Sequence, residues 1–236
     1  MGGMGIKERH ERDREAVRRA ILDAARELFV DEGYQNVSIR KIAERIEYSP
    51  AAIYGYFPSK DDIFFALAEE GFHLLKGPDD PGRTARLQAL EPLDRIRERF
   101  WHLYEFSREH PQYFALMFVD RDVPRISREY ERFAFVRDMK QLMVAQIQEG
   151  IDTGALPSTL DASVACRMLT MGVLGVGAMR LSDRLGPPDQ ADLLARDVLN
   201  ALLAGLQSGT PLQSTDTLCV ADGQVAHANV SSRGVA

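Results

Sequence analysis

Cysteine is scarce in this chain of 236 residues: only Cys166 and Cys219 occur, one in a helix-patterned stretch and one in a polar tail. They supply neither a disulfide framework nor a zinc ligand set, and a reducing cytoplasm is the expected compartment. The five histidines, at 10, 73, 102, 110 and 227, are scattered without metal-ligand spacing. No Ser/His/Asp ordering, glycine-rich phosphate loop or HExxH segment accompanies them. The expectation is therefore no metal, no cofactor and no catalytic site. Long apolar runs are missing too. The longest without a charge, Met168 to Met179, is closed off by Arg167 and Arg180 and is too short to span a bilayer. The N-terminus MGGMGIKERHERDREAVRR lacks the apolar centre of a signal peptide, so no membrane partner is expected. A basic excess is also absent. With a net charge of −6, any contact with nucleic acid must come from a local patch.

What is present is helical periodicity, with nothing that alternates as a strand. At 45% hydrophobic and 27% charged residues, the chain can bury one large or two modest cores. An all-α fold of about nine helices is expected. Val17, Ile21, Ala24, Ala25, Leu28 and Phe29 share one face of a first helix that stops near Gly33. Ser38 reads as the N-cap of a second, whose face Ile39, Ile42, Ala43 and Ile46 is only two turns long and must be held by neighbours. Ser49 and Pro50 open a third, through Tyr54, and Ser59 caps a fourth with Asp61 and Asp62 in its first turn. Gly77 to Thr84 reads as a loop. Helices are then expected over Pro92–Glu109, Pro111–Asp120, Pro124–Thr153, Asp161–Leu185 and Pro188–Gln207, before a mobile tail over 209–236.

Residues 38–60, SIRKIAERIEYSPAAIYGYFPSK, hold a short helix, a tight turn and a second helix, the layout of a DNA-reading motif. Arg40, Lys41, Arg45 and Lys60 there face only Glu44 and Glu47. With Phe29, Gly33, Ile42, Ala43, Ser49, Ile53, Tyr54, Phe57 and Lys60 at fixed spacing, the segment resembles the TetR family of bacterial transcriptional regulators. The likeness is strongest over 13–65, where that family places its three-helix DNA-binding domain. It implies a helical ligand-binding and dimerisation domain over 66–208, and a homodimeric, ligand-responsive regulator of palindromic operator DNA, a repressor above all. The alternative is a helical interaction or small-molecule-binding protein, enzymatic or not, that uses the motif otherwise. One departure is Glu47, followed by Tyr48, where the family often has glycine. Either the turn is reshaped, or glutamate tolerates a positive φ at about 1 kcal/mol.

A major-groove helix needs a small leading edge, which Pro50, Ala51 and Ala52 supply. Apolar contact of Ala51 or Ala52 with thymine methyls, and Arg40 or Tyr48 at base edges, would read sequence. Gly55 permits close backbone approach. The resemblance makes Ser38, Ser49, Tyr54, Tyr56 and Lys60 the phosphate contacts, with Lys60 set beside free N–H groups at the start of helix four. Phe57 reads as core, Tyr54 as either core or contact, and the basic residues Lys7, Arg9, Arg12, Arg14, Arg18 and Arg19 as a solvated helix start or, alternatively, an arm that touches DNA.

Aromatic and methionine side chains in the second region suit an adaptable pocket for an unknown small hydrophobic ligand. Its expected lining is Trp101, Tyr104, Phe114, Met117, Phe118, Met139, Met143, Met168 and Met171, with His102, His110 and Arg167 as candidate polar anchors. The last two helices combine Gly172, Gly175, Val176 and Met179 with Val198, Leu202 and Leu206. Glycines inside a helix cost about 1 kcal/mol each unless close packing compensates, so these residues are expected to form a four-helix dimer interface.

Overall fold

The computed structural model describes residues 6–78, 80–126, 129, 131–209 and 212–214. Among them are ten α-helices and no strand. These are α1 (Ile6–Glu32), α2 (Ile39–Arg45), α3 (Pro50–Tyr54), α4 (Lys60–Lys76), α5 (Pro81–Gln88), α6 (Pro92–Glu109), α7 (Pro111–Phe114), α8 (Ala134–Asp152), α9 (Ala162–Leu181) and α10 (Pro188–Gln207).

The extra helix is α5, in the stretch read as a loop. Asp80, half of an apparent turn signal, is an N-cap whose carboxylate accepts the Gly82 N–H at 2.9 Å, and Pro81 occupies the first turn. The helix expected over 111–120 changes pitch at Phe114 and finishes as a π turn, Ala115–Val119. The one expected from Pro124 starts only at Ala134, and the one expected to reach Leu185 stops at Leu181, where Asp183 takes a positive φ of 51°. Apart from Gly209 and residues 212–214, the expected tail lies outside the described residues.

Two apolar cores organise these helices. In the first, Ile21, Ala25 and Phe29 of α1 meet Ile42 and Ala43 of α2, Ile53 of α3, and Ile63, Phe64 and Leu67 of α4. Each full burial of such a side chain contributes about 1.5–3 kcal/mol, which fixes α2 and α3, too short to persist alone. The second gathers Ile96, Phe100 and Tyr104 of α6, Ile147 of α8, Leu169 and Val173 of α9, and Leu199 and Leu203 of α10. Helix α9 is long and apolar enough to cross a bilayer by length and composition, but 44% of its apolar window is buried inside the protein, where α6, α8 and α10 pack on it.

Helix α4 belongs to both halves: it begins in the first core, and Leu75 near its end packs against both. Polar ties reinforce it. Arg19 of α1 donates to Glu70 at 2.6 Å, and Arg132 donates to Glu69 at 2.9 Å. Arg26 of α1 reaches α7 instead, donating to Gln112 and to the Tyr113 hydroxyl at 3.0 and 2.9 Å.

Gly177 shows how tightly α9 is packed: a Cβ there would stand 2.7 Å from Cζ of the fully buried Phe114. Gly177→Ala should therefore destabilise the fold by about 1–3 kcal/mol. Gly175→Ala, which meets nothing within 4 Å in the protomer, should not lower the stability of a monomeric variant. Urea denaturation of both measures the difference.

Candidate nucleic-acid interface

The local chemistry of α2 and α3 builds one exposed face. Ser38 Oγ accepts the Lys41 N–H and Ser49 Oγ accepts the Ala52 N–H, each at 3.2 Å, so both serines cap as expected. Ile53 is fully buried beneath α3, and this turns Ser49, Pro50, Ala51, Tyr54 and Gly55 outward. Tyr54 is 55% exposed and Tyr48 45%, an unusual presentation for two large rings in one short stretch. Phe57 is buried and Tyr56 half-buried. Ser38 and Arg40 lie at the exposed start of α2, where Arg40 donates to Glu44 one turn on at 2.8 Å. Ala52 is half-buried, and Gly55 has an ordinary helical φ of −70°. Of the expected set, Ser38, Arg40, Tyr48, Ser49, Pro50, Ala51, Tyr54 and Gly55 are exposed, Ala52 and Tyr56 are half-buried, and Lys60 turns inward.

The turn between α2 and α3 answers the question that Glu47 raised. The Tyr48 N–H reaches the Ala43 carbonyl at 2.9 Å and the Glu47 N–H reaches that of Glu44 at 3.3 Å. Those two bonds are a Schellman closure, and its left-handed position, usually glycine, is held by Glu47 at φ 59°. The turn keeps its shape and glutamate bears the strain. Its carboxylate is exposed at the edge of the face.

Lys60 differs most from expectation. Its Nζ donates to the carbonyls of Tyr34 and Val37 at 2.8 and 2.9 Å and lies 4.0 Å from the centre of the Tyr34 ring. The ammonium is thus committed to the α1–α2 connection rather than set beside free N–H groups. Burial lowers its pKa, opposed by the nearby Asp61 carboxylate. The Tyr34 hydroxyl donates in turn to Asp61, and burial, then that bond, raise the phenol's pKa.

In the second region, a cleft of about 600 Å³ opens between the end of α4, α5, α6 and α8. Leu75, Leu87, Phe135, Met139, Leu142 and Met143 make its apolar wall, with Arg95, Arg99, His102, Asp138 and Glu149 among the polar groups. Of the expected lining only Met139 and Met143 are there. Trp101 is buried beneath Arg196, whose guanidinium carbon is 3.9 Å from the ring centre. Tyr104 is buried and donates to Asp192 at 2.8 Å, with its pKa pushed up to about 12 by burial first and by that carboxylate. Phe114 is core, Phe118 meets the Phe72 ring edge to face, Met117 packs against Gly71, Met168 packs on the second core and Met171 is exposed. His110 packs between Phe106 and Tyr113. The cleft's own signal is in the sequence, as Phe135, Met139, Leu142 and Met143 recur at the spacing of one helical face. Of the expected dimer residues, Val176 and Leu206 are buried within the protomer.

A capped pair of short helices on a three-helix core, joined by one long helix to a larger bundle, defines a helix-turn-helix protein with a C-terminal helical domain. Residues 21–67 match the model of the bacterial regulatory proteins of the tetR family, and over this segment the chain is similar to that family. It is 46% identical to the Mycobacterium tuberculosis transcriptional repressor Rv1474c over 55 residues, 23% of this chain and 29% of the repressor. The chain spans less than half the length of the curated relatives it matches. Among solved structures, the Bacillus subtilis regulator FadR in complex with stearoyl-CoA is similar at a TM-score of 0.63 and 17% identity, over 79% of this chain and 98% of that one. AibR in complex with isovaleryl coenzyme A and operator DNA is similar at 0.60 and 20%, over 79% and 97%. Likeness at such identity concerns the fold.

Glu47→Gly should relieve about 1 kcal/mol of backbone strain. For a chain of this size that raises Tm by about 2–4 °C, which thermal denaturation followed by circular dichroism measures.

Proposed function

We propose that the protein is a homodimeric transcriptional repressor of the bacterial cytoplasm, that its α3 face binds a palindromic operator, and that a small hydrophobic molecule releases it. The observation that carries this reading is the outward presentation of Ser49, Pro50, Ala51 and Tyr54 over a buried Ile53. Small residues at the leading edge allow close groove approach, and the Tyr54 hydroxyl is free to bond a phosphate. The match to repressors over the N-terminal segment supports the same reading.

Dimerisation is supported by an unpartnered apolar face. Met171, Gly175 and Met179 form one exposed stripe of α9, the two methionines 57% and 44% exposed. Beside it on α10 stand Leu194, 42% exposed, and the half-buried Val198 and Leu202. A Cβ at Gly172 would stand 2.4 Å from Leu202 Cδ1, so glycine there lets α9 and α10 lie close and present a common face. Two copies joined through it would form a four-helix interface and set two reading heads for successive major grooves, about 34 Å apart.

The cleft supplies the signal. Its apolar wall suits an aliphatic or aromatic body, and Arg99 and His102 stand where a polar end would lie. Acyl-CoA molecules occupy the two structural neighbours, and an acyl-type ligand suits this wall as well. Helix α4, 17 residues and about 25 Å long, runs from the Lys60 anchorage to this cleft. A ligand that binds tighter to a protomer with α4 displaced shifts the population away from the DNA-competent pose.

In a gel-shift titration with operator DNA, Tyr54→Ala should weaken binding roughly tenfold or more, the equivalent of about 1.4 kcal/mol. Unchanged affinity would remove α3 from the interface. Sedimentation of the Met171→Glu, Met179→Glu double variant should show a monomer; a persisting dimer would reject the α9/α10 face.

A further inference from the structure

Helix α1 runs well past the core that it serves. Its first substantially packed residue is Val17, and residues 8–16 are all exposed, so the helix projects about 15 Å from the domain before Val17. This projection does not stand clear of the reading head. Arg14 lies over the Tyr56 ring at 5.7 Å, and Arg18, one turn later, over the Phe57 ring at 5.4 Å. His10, Arg14 and Val17 share a shallow cleft with Tyr48, Gly55 and Tyr56, on the flank of the α2–α3 turn and the end of α3. Three groups able to carry positive charge, at a spacing of four residues, thus form one ridge alongside the exposed face.

From this we propose that the ridge His10, Arg14 and Arg18 is a second nucleic-acid contact, binding backbone phosphates beside those that Tyr56 reaches. The inference rests on the DNA-binding reading and adds a site to it. Acids near the ridge are Glu11, exposed beside His10 and one turn before Arg14, Asp13, which lines the same cleft, and Glu15, whose pair with Arg18 is long at 3.5 Å and whose side chain is 68% exposed. An exposed pair of that length contributes little, and a phosphate competes with it readily. The aromatic rings beside Arg14 and Arg18 take up none of their N–H donors, so apart from the long Arg18–Glu15 bond these remain available to a phosphate. A ridge of this kind also explains how a chain of net charge −6 can hold a polyanion: its cations are gathered where the duplex lies.

The test is a salt titration of operator binding by fluorescence anisotropy, with the full-length protein. Arg14→Gln should weaken binding roughly tenfold and shallow the plot of log affinity against log salt by about 1 per protomer, about 2 for a dimer. Arg14→Lys should restore the slope, because it returns the charge, whatever it does to the stacking on Tyr56. Arg12→Gln, on the opposite side of α1, should leave the slope unchanged. An Arg14→Gln slope equal to that of the wild type overturns the proposal, and so does an equal shallowing by Arg12→Gln. If the wild type itself fails to bind duplex DNA, it is the DNA-binding reading that falls.

Discussion

The arrangement of this protein depends on how the first turn of α4 is fastened. Lys60 places its ammonium on the carbonyls of Tyr34 and Val37 and against the Tyr34 ring, and Tyr34 closes the loop by donating to Asp61 on the same turn. The Val37 carbonyl, and the Tyr34 carbonyl that also accepts the Val37 N–H, thereby bond a half-buried charge that no longer has full access to water, the circumstance in which hydrogen bonds to a cation are worth most. The start of α2 is fixed by the same residues, since Val37 directly precedes its cap Ser38. The pose of the exposed face therefore follows α4.

From that anchorage the remaining constraints run outward. Toward α3, packing of Ile42 and Ile53 on α1 and α4 stabilises helices of seven and five residues that have little stability of their own. Toward the bundle, α4 ends at a cleft whose far wall is α8, and Arg19, Arg26 and Arg132 pin its flanks and α7. These arginine pairs are partly exposed, so each fixes geometry more than it adds stability. A rigid rod with one end in the reading head and the other at a cavity suits an allosteric relay, because a small displacement at the cleft cannot be absorbed within the helix.

The first 60 or so residues were legible because their signals are local. A serine three residues before the N–H it accepts, a proline in a first turn, and isoleucines three and four residues apart need no knowledge of the rest of the chain. Even the exceptional Glu47 could be singled out, although only the Ala43–Tyr48 bond decides that the turn keeps its shape. The cleft was less legible because pocket and core draw on the same side chains. Trp101 and Tyr104 lie on α6 but turn toward Arg196 and Asp192 of α10, a choice set by partners some ninety residues away. Helix α5 was hidden because aspartate, proline and glycine serve equally as a loop and as a cap. Lys60 was misplaced for a related reason: its nearest acceptors come from residues 34 and 37, which are distant in sequence.

On the proposed DNA-binding reading, Lys60 contributes by holding the exposed α3 face to α4 and not by touching a phosphate. Lys60→Met keeps the apolar stem and removes the charge, and the decisive quantity is the salt dependence of operator binding by this variant. The account predicts weaker binding with a salt slope parallel to that of the wild type, since no phosphate contact is lost. A slope shallower by about 1 per protomer would show the ammonium on a phosphate and would contradict it.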